Sequence, residues 1–134
     1  MNMILGTGID LLKISRVKKV LDKYGQSFVK KVFFDDEIKN NKETTFKANK
    51  LAKSFATKEA FVKALGTGFT KHIFFKDISL KNEKSGKPFI DLSNRAQEYL
   101  RKKTPNGYKT TINVSISDEK DYVVSNVIIS LQKK

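Results

Sequence analysis

From Thr44 to Leu65 the chain has neither proline nor glycine, is rich in Ala and Lys, and runs straight into Gly66. That composition and that stop predict one uninterrupted helix of about 22 residues, roughly 33 Å long. In a chain of 134 residues and 15.3 kDa, with ten Phe and four Tyr, a helix of this size belongs to a single domain, residues 1–134, built around one core.

The flanking segments supply short strands and helices. Residues 3–9 are apolar and punctuated by glycine, which predicts a buried strand ending at Asp10. Ser15 is placed to cap a helix carrying Val17, Val20, Leu21 and Tyr24 at i, i+3, i+4 and i+7, with Gly25 as its stop. Phe28, Val29, Val32 and Phe33 predict a second helical turn, and Asp35 or Asp36 caps a brief third helix to about Lys42. Beyond the long helix, Ile78 and Leu80 alternate with polar residues, 82–87 make a turn, and Pro88 opens a strand to Leu92. Ser93 caps a helix with Ala96, Tyr99 and Leu100 inward, ended by Thr104-Pro105-Asn106-Gly107. Ile112, Val114 and Ile116 alternate in a further strand. After a turn at 118–121, Val123 to Leu131 is apolar enough for burial on both faces. The order β, three helices, ββ, α, ββ is that of an α+β fold, a small antiparallel sheet packed against the long helix.

Composition narrows the chemistry. Zero cysteines exclude disulfides, thiolate metal sites and a cysteine nucleophile, and fit a reducing compartment. The apolar N-terminal stretch has no basic region before it and contains Asp10. No run approaches the ~20 residues of a spanning helix, so the expectation is a soluble, cytoplasmic protein with no membrane partner. The net charge of +13 comes from 27 basic against 14 acidic residues, and all the basic residues but Arg16, Arg95 and Arg101 are Lys. An AT-rich coding bias accounts for part of that total; its placement carries more meaning. Between Lys13 and Lys31 stand seven basic residues and one acid. Arg16, Lys19 and Lys23 form a stripe on one helical face, suited to an acidic partner. A basic nucleic-acid-binding domain is the rival from another class, but only three arginines and no recognition motif argue against it, and no nucleic-acid partner is expected.

Three features fit poorly with a purely structural role. Projected at 100° per residue, Ala48, Leu51, Ala52, Phe55, Ala56 and Val62 share an arc into which Glu59 and Lys63 also fall, while Lys50, Thr57 and Lys58 lie on the polar side. A carboxylate in an apolar stripe must be paired, protonated or bound to a cation. Asp10, between Ile9 and Leu11, poses the same problem, with Gly6 and Gly8 allowing close backbone approach. It is either a helix cap or, with Glu59, half of the oxygen-donor set that a hard divalent cation such as Mg²⁺ takes alongside phosphate oxygens and water. Gly66-Thr67-Gly68 is by itself an ordinary helix stop, but with Lys63 one turn before it and Lys71 after it the loop is a candidate phosphate-binding lip. The single histidine, His72, carries no argument.

Gly8-Ile9-Asp10 with Arg16, the block from Phe55 to Gly68, Gly86-Lys87-Pro88 and Val114-Ser115-Ile116-Ser117 closely resemble, in order and spacing, the small phosphopantetheinyl transferases of the holo-acyl-carrier-protein synthase family. The resemblance implies transfer of 4′-phosphopantetheine from the co-substrate coenzyme A to a serine of apo acyl carrier protein, with release of adenosine 3′,5′-bisphosphate, in fatty acid biosynthesis. It implies Mg²⁺ held by Asp10 and Glu59, with Lys63 at the pyrophosphate and Asp10, Glu59 and Lys63 as the catalytic set. It further implies that Gly66, Thr67, Gly68, Gly86, Pro88 and Ser117 lie along coenzyme A, and that an acidic carrier protein docks on Arg16, Lys19 and Lys23. A homotrimer with active sites between subunits is implied as well. The chain departs from the family at Ser54, where an Arg is usual, and at Asp118, where a His is usual. Lys53, Lys87 and Lys120 are the candidates to replace the lost phosphate contacts, and a weakened relative that only binds carriers is the alternative reading.

Overall fold

A computed structural model describes residues 2–33, 48–69 and 73–134. The element order is β1 (Asn2–Lys13), α1 (Ile14–Tyr24), α2 (Gln26–Val32), α3 (Ala48–Leu65), a 3₁₀ turn (Phe75–Asp77), β2 (Ile78–Asn82), β3 (Pro88–Leu92), α4 (Asn94–Lys103), β4 (Tyr108–Asp118) and β5 (Tyr122–Lys133). The strands divide into two antiparallel sheets, β1-β5-β4 and the hairpin β2-β3. The third short helix expected to about Lys42, residues 44–47 of the long helix, Lys71 and His72 lie outside the described residues.

Helix α3 lies across one face of the three-stranded sheet, and two glycines set how closely. A Cβ on Gly6 would overlap the Ala64 carbonyl oxygen, and one on Gly8 the Ala60 carbonyl oxygen. The close approach expected at these glycines is therefore taken up by the backbone of α3 rather than by a ligand. Ala56, Ala60 and Ala64 complete the small-residue seam on the helix side, all buried.

Strand β1 does not end at Asp10. It pairs with β5 as far as Lys13↔Tyr122, past a register shift between Ile4 and Gly6, and Asp10 stands opposite Ser125 inside the ladder. Only one face of β1 is buried, because Gly8, Asp10 and Leu12 face α3 while Ile9 and Leu11 point away and are 61% and 66% exposed. Strand β5 behaves in the same way. Val123, Ser125, Val127, Ile129 and Leu131 are buried, whereas Val124 and Ile128 on the other face are half-buried. The apolar run of β5 predicts burial on both faces, and the structure buries only one. Within one chain the outer face has no layer over it.

At the helix ends, Ser15 is not the cap of α1. The helix starts two residues earlier than a Ser15 cap would place it, without a side-chain cap at Lys13, and the Ile14 N–H donates instead to the Asp121 carbonyl at 2.9 Å. Tyr24, expected inward, is 54% exposed. Gly25 does end the helix, at φ 50° with its N–H donating to Leu21. Ser93 caps α4 as expected, its Oγ accepting from the Ala96 N–H at 3.2 Å.

The main surprise lies in α3. Its buried positions run all round the helix, and Lys58 is fully buried. The Lys58 ammonium donates to the Val32 carbonyl at 2.8 Å and the Phe75 carbonyl at 3.2 Å, and lies 4.7 Å from the centre of the Phe33 ring. Thr57 is equally buried and shares a 2.9 Å hydrogen bond with Ser125. Of the residues on the polar side, Thr57 and Lys58 face β5 and the end of α2, and Lys50 alone is exposed. An arc drawn around apolar residues misses this, because α3 is enclosed by β1, β5, α1 and β2 together.

A second buried polar group ties the 3₁₀ turn to α4. Asp77 accepts from the Phe74 N–H (2.8 Å), the Ser93 hydroxyl (2.8 Å) and Arg95 Nη2 (2.7 Å). Burial pushes its carboxyl up, but the hydrogen bonds from Phe74, Arg95 and Ser93 and the charge of Arg95 outweigh it and hold the group below the usual carboxylate range. A depressed carboxyl contributes stability that is present above its unfolded pKa of about 3.9 and is lost as pH falls through the folded value. Urea unfolding across the acid range should therefore show a steeper loss below about pH 4 in the wild type than in Asp77→Asn. Gly8→Ala should cost about 3 kcal/mol or more in the same measurement at neutral pH, because a backbone oxygen cannot step aside as a side chain can.

Candidate active site

The seam between β1 and α3 brings three charged groups together at the edge of the sheet. Asp10 reaches the helix from the buried face of β1, and Lys63 reaches back from α3. The Lys63 ammonium donates to Asp10 Oδ1 at 3.0 Å and to the Ile9 carbonyl at 3.0 Å. The Asp10 side chain is 15% exposed and that of Lys63 52%, so the ion pair sits half in water. Glu59, one turn before Lys63, is half-buried. Burial, then the negative charge of Asp10, push its carboxyl above the usual range, with Lys63 pulling the other way.

Asp10, Glu59 and Lys63 are thus neighbours, as the resemblance implies, although the stripe argument that singled out Glu59 and Lys63 does not hold. They lie on the more open side of α3, and the buried cation of this helix is Lys58. Two hard carboxylates whose charges oppose each other at a solvent-facing edge suit a divalent cation. No third His, Cys, Asp or Glu completes a metal cluster among the described residues. Mg²⁺ fits such a donor set, since it is commonly held by one or two carboxylates and keeps water and phosphate oxygens as its other ligands.

The loop after α3 follows the glycine signal in one respect and departs from it in another. Gly66 and Gly68 have φ of 74° and 63°, and the space where each Cβ would stand is open. The Gly66 N–H, however, donates to the Val62 and Lys63 carbonyls and the Thr67 N–H to Val62, so these two amides finish the helix and are not donors for a phosphate. What the loop offers is an uncluttered surface one turn beyond Lys63.

Gly86 and Pro88 lie at the turn of the separate β2-β3 hairpin, where Gly86 has φ 91°. Ser117 pairs with Val124 on the sheet face opposite Asp10 and is exposed. Among the described residues, the polar partners of Lys63 are Asp10 and the Ile9 carbonyl, and none of Gly86, Pro88 and Ser117 is among them. Arg16, Lys19 and Lys23 are exposed along α1. Arg16 rims an apolar notch of about 120 Å³ lined by Leu12, Val17, Val20, Phe28 and Phe55. Of the two departures, Ser54 is buried in α3 and Asp118 has partners on that helix. Asp118 pairs with Lys53 at 3.5 Å and accepts from Asn49 Nδ2 at 3.2 Å, so the acid is offset and Lys53 is engaged rather than spare. Neither this contact nor the clasp at Asp77 has a local signature, since each joins residues tens of positions apart or in separate elements.

Comparison with known proteins identifies the family and agrees with the fold. The family model described as the 4'-phosphopantetheinyl transferase superfamily matches residues 6–125. A holo-[acyl-carrier-protein] synthase of Parvibaculum lavamentivorans is 38% identical over 132 residues, covering 98% of this chain and 99% of that one. The crystal structure of holo-[acyl-carrier-protein] synthase from Neisseria meningitidis superposes with a TM-score of 0.85 at 31% identity, covering 95% of this chain and 98% of that one. The Helicobacter pylori synthase in complex with coenzyme A superposes with a TM-score of 0.76 at 27% identity, covering 92% and 98%.

A carboxyl raised by folding contributes stability below its unfolded pKa and loses it as pH rises through the folded value. In chelator, Glu59→Gln should therefore melt higher than the wild type at pH 7 and at the same temperature near pH 4, as scanning calorimetry would show.

Proposed function

This chain belongs to the 4'-phosphopantetheinyl transferase superfamily, and from that premise we propose that it is the holo-acyl-carrier-protein synthase of its cell, moving 4′-phosphopantetheine from coenzyme A to a serine of apo acyl carrier protein. The observation that carries the reading is the convergence of Asp10, Glu59 and Lys63 at the seam between β1 and α3. In this reaction the serine oxygen forms a bond to the phosphorus bearing pantetheine, the bond from that phosphorus to the bridging oxygen breaks, and adenosine 3′,5′-bisphosphate leaves with the electron pair.

Asp10 and Glu59 would hold Mg²⁺, which when bound neutralises charge on the pyrophosphate. Lys63 supplies a mobile positive charge within one helical turn of the open Gly66 to Gly68 surface, where Gly66, Thr67 and Gly68 leave room for the nucleotide. Glu59, with its raised carboxyl, takes the proton of the acceptor hydroxyl directly or through a water. Arg16, Lys19 and Lys23 meet the acidic carrier, and the apolar notch behind Arg16 gives that docking a place for an apolar side chain.

The bare outer face of the sheet, with Ile9 and Leu11 exposed beside Val124 and Ile128, supports assembly as a homotrimer. A neighbouring copy would bring Gly86, Pro88 and Ser117 to the nucleotide, which one chain does not do. We place the reaction in the cytoplasm and in fatty acid biosynthesis, in keeping with the absence of cysteine. Among the described residues no helix is long and apolar enough to cross a membrane.

Incubation with coenzyme A, Mg²⁺ and apo acyl carrier protein should add the mass of one phosphopantetheine to the carrier, as read by mass spectrometry. Glu59→Gln should reduce the rate at least about a hundredfold while leaving carrier binding intact. Carrier binding by the wild type without any mass gain would instead identify a carrier-binding relative that has lost the chemistry.

A further inference from the structure

Lys63 is in an unusual position for a group meant to meet a phosphate. Its ammonium is already held by two oxygens at 3.0 Å, one from the Asp10 carboxylate and one from the Ile9 carbonyl. These are hard oxygen donors, the kind a divalent cation takes, and one of them belongs to a proposed metal-binding residue. The ammonium thus occupies one of the two oxygens that Asp10 could offer a metal ion. Its anchoring is one-sided, because Asp10 is mostly covered while the Lys63 side chain is 52% exposed. It can leave by rotating its own stem, without opening the seam behind it.

We propose that Lys63 is a tethered cation that holds Asp10 until a divalent ion arrives and is then handed to the phosphate of the co-substrate, so that it sets the metal affinity of the empty site. The inference rests on the divalent-ion reading given above. An ion between Asp10 and Glu59 would repel an ammonium bound to the same carboxylate, and Lys63 must then seek another anion. The open surface beyond Gly66 lies one helical turn further along its own helix, where a phosphate would receive it. Metal and phosphate would consequently favour each other's binding, and by linkage the benefit is equal in both directions.

The test uses Mn²⁺ alone, followed by electron paramagnetic resonance on the full chain without coenzyme A. Lys63→Met should bind Mn²⁺ about two- to fivefold more tightly than the wild type, the range expected for removal of a partly exposed ion pair. Lys63→Arg, which keeps the charge, should stay near the wild type. Lys53→Met removes an equal charge from the same helix, but one paired with Asp118, and should leave the affinity unchanged. Equal or weaker Mn²⁺ binding by Lys63→Met would overturn the proposal while leaving the metal site standing, and so would an equal gain in Lys53→Met. Absence of Mn²⁺ binding in every variant, with or without coenzyme A, would overturn the divalent-ion reading and this inference with it.

Discussion

The contact on which the rest of the molecule depends is backbone against backbone. Gly6 and Gly8 of β1 meet the carbonyl oxygens of Ala64 and Ala60 with no side chain between them. A strand and a helix normally keep the distance their side chains impose; here that distance collapses over two residues. The collapse carries Asp10, the next inward position on β1, up against the turn of α3 that bears Glu59 and Lys63. The chemistry of the site is thus a by-product of how these two elements pack, and the alanines and glycines beneath it matter as much as the charged groups above.

Much of this architecture could be read from the residues. The long helix, its glycine stop, the Ser93 cap, the Pro88 strand start and the alternation of β4 are local signals, and each appears where local physics puts it. The errors have a common origin in neighbours that are distant in sequence. Lys58 reads as a solvated lysine until the Val32 and Phe75 carbonyls are brought to it from two other elements. Ser15 is a better cap than Lys13 by residue type, but Asp121, from the far hairpin, satisfies the first amide and moves the helix start. Asp10 is legible as an acid set between apolar neighbours and all three site residues through the resemblance, whereas the stripe argument for Glu59 and Lys63 is invalidated by the enclosure of α3.

The surplus positive charge also acquires a distribution. Lys58 is spent in the core, Lys53 and Arg95 are occupied by Asp118 and Asp77, and Lys63 is shared with Asp10. The cations along α1 stay exposed on one helical face beside an apolar notch, so the part of the charge open to a partner is concentrated where a partner can also bury something. A formal total of +13 says little about recognition until its committed members are taken out.

The ammonium of Lys58 has one more consequence. An all-apolar helix wedged between a sheet and other helices can rotate about its axis and find several packings of similar energy, since one methyl group substitutes for another. A single core cation removes that freedom, because only one rotational setting points it at two carbonyl oxygens and an aromatic face. Lys58 works as the key of a keyway. Glu59 is the very next residue, so its angular position above the sheet is indexed by a charge that never meets solvent or substrate.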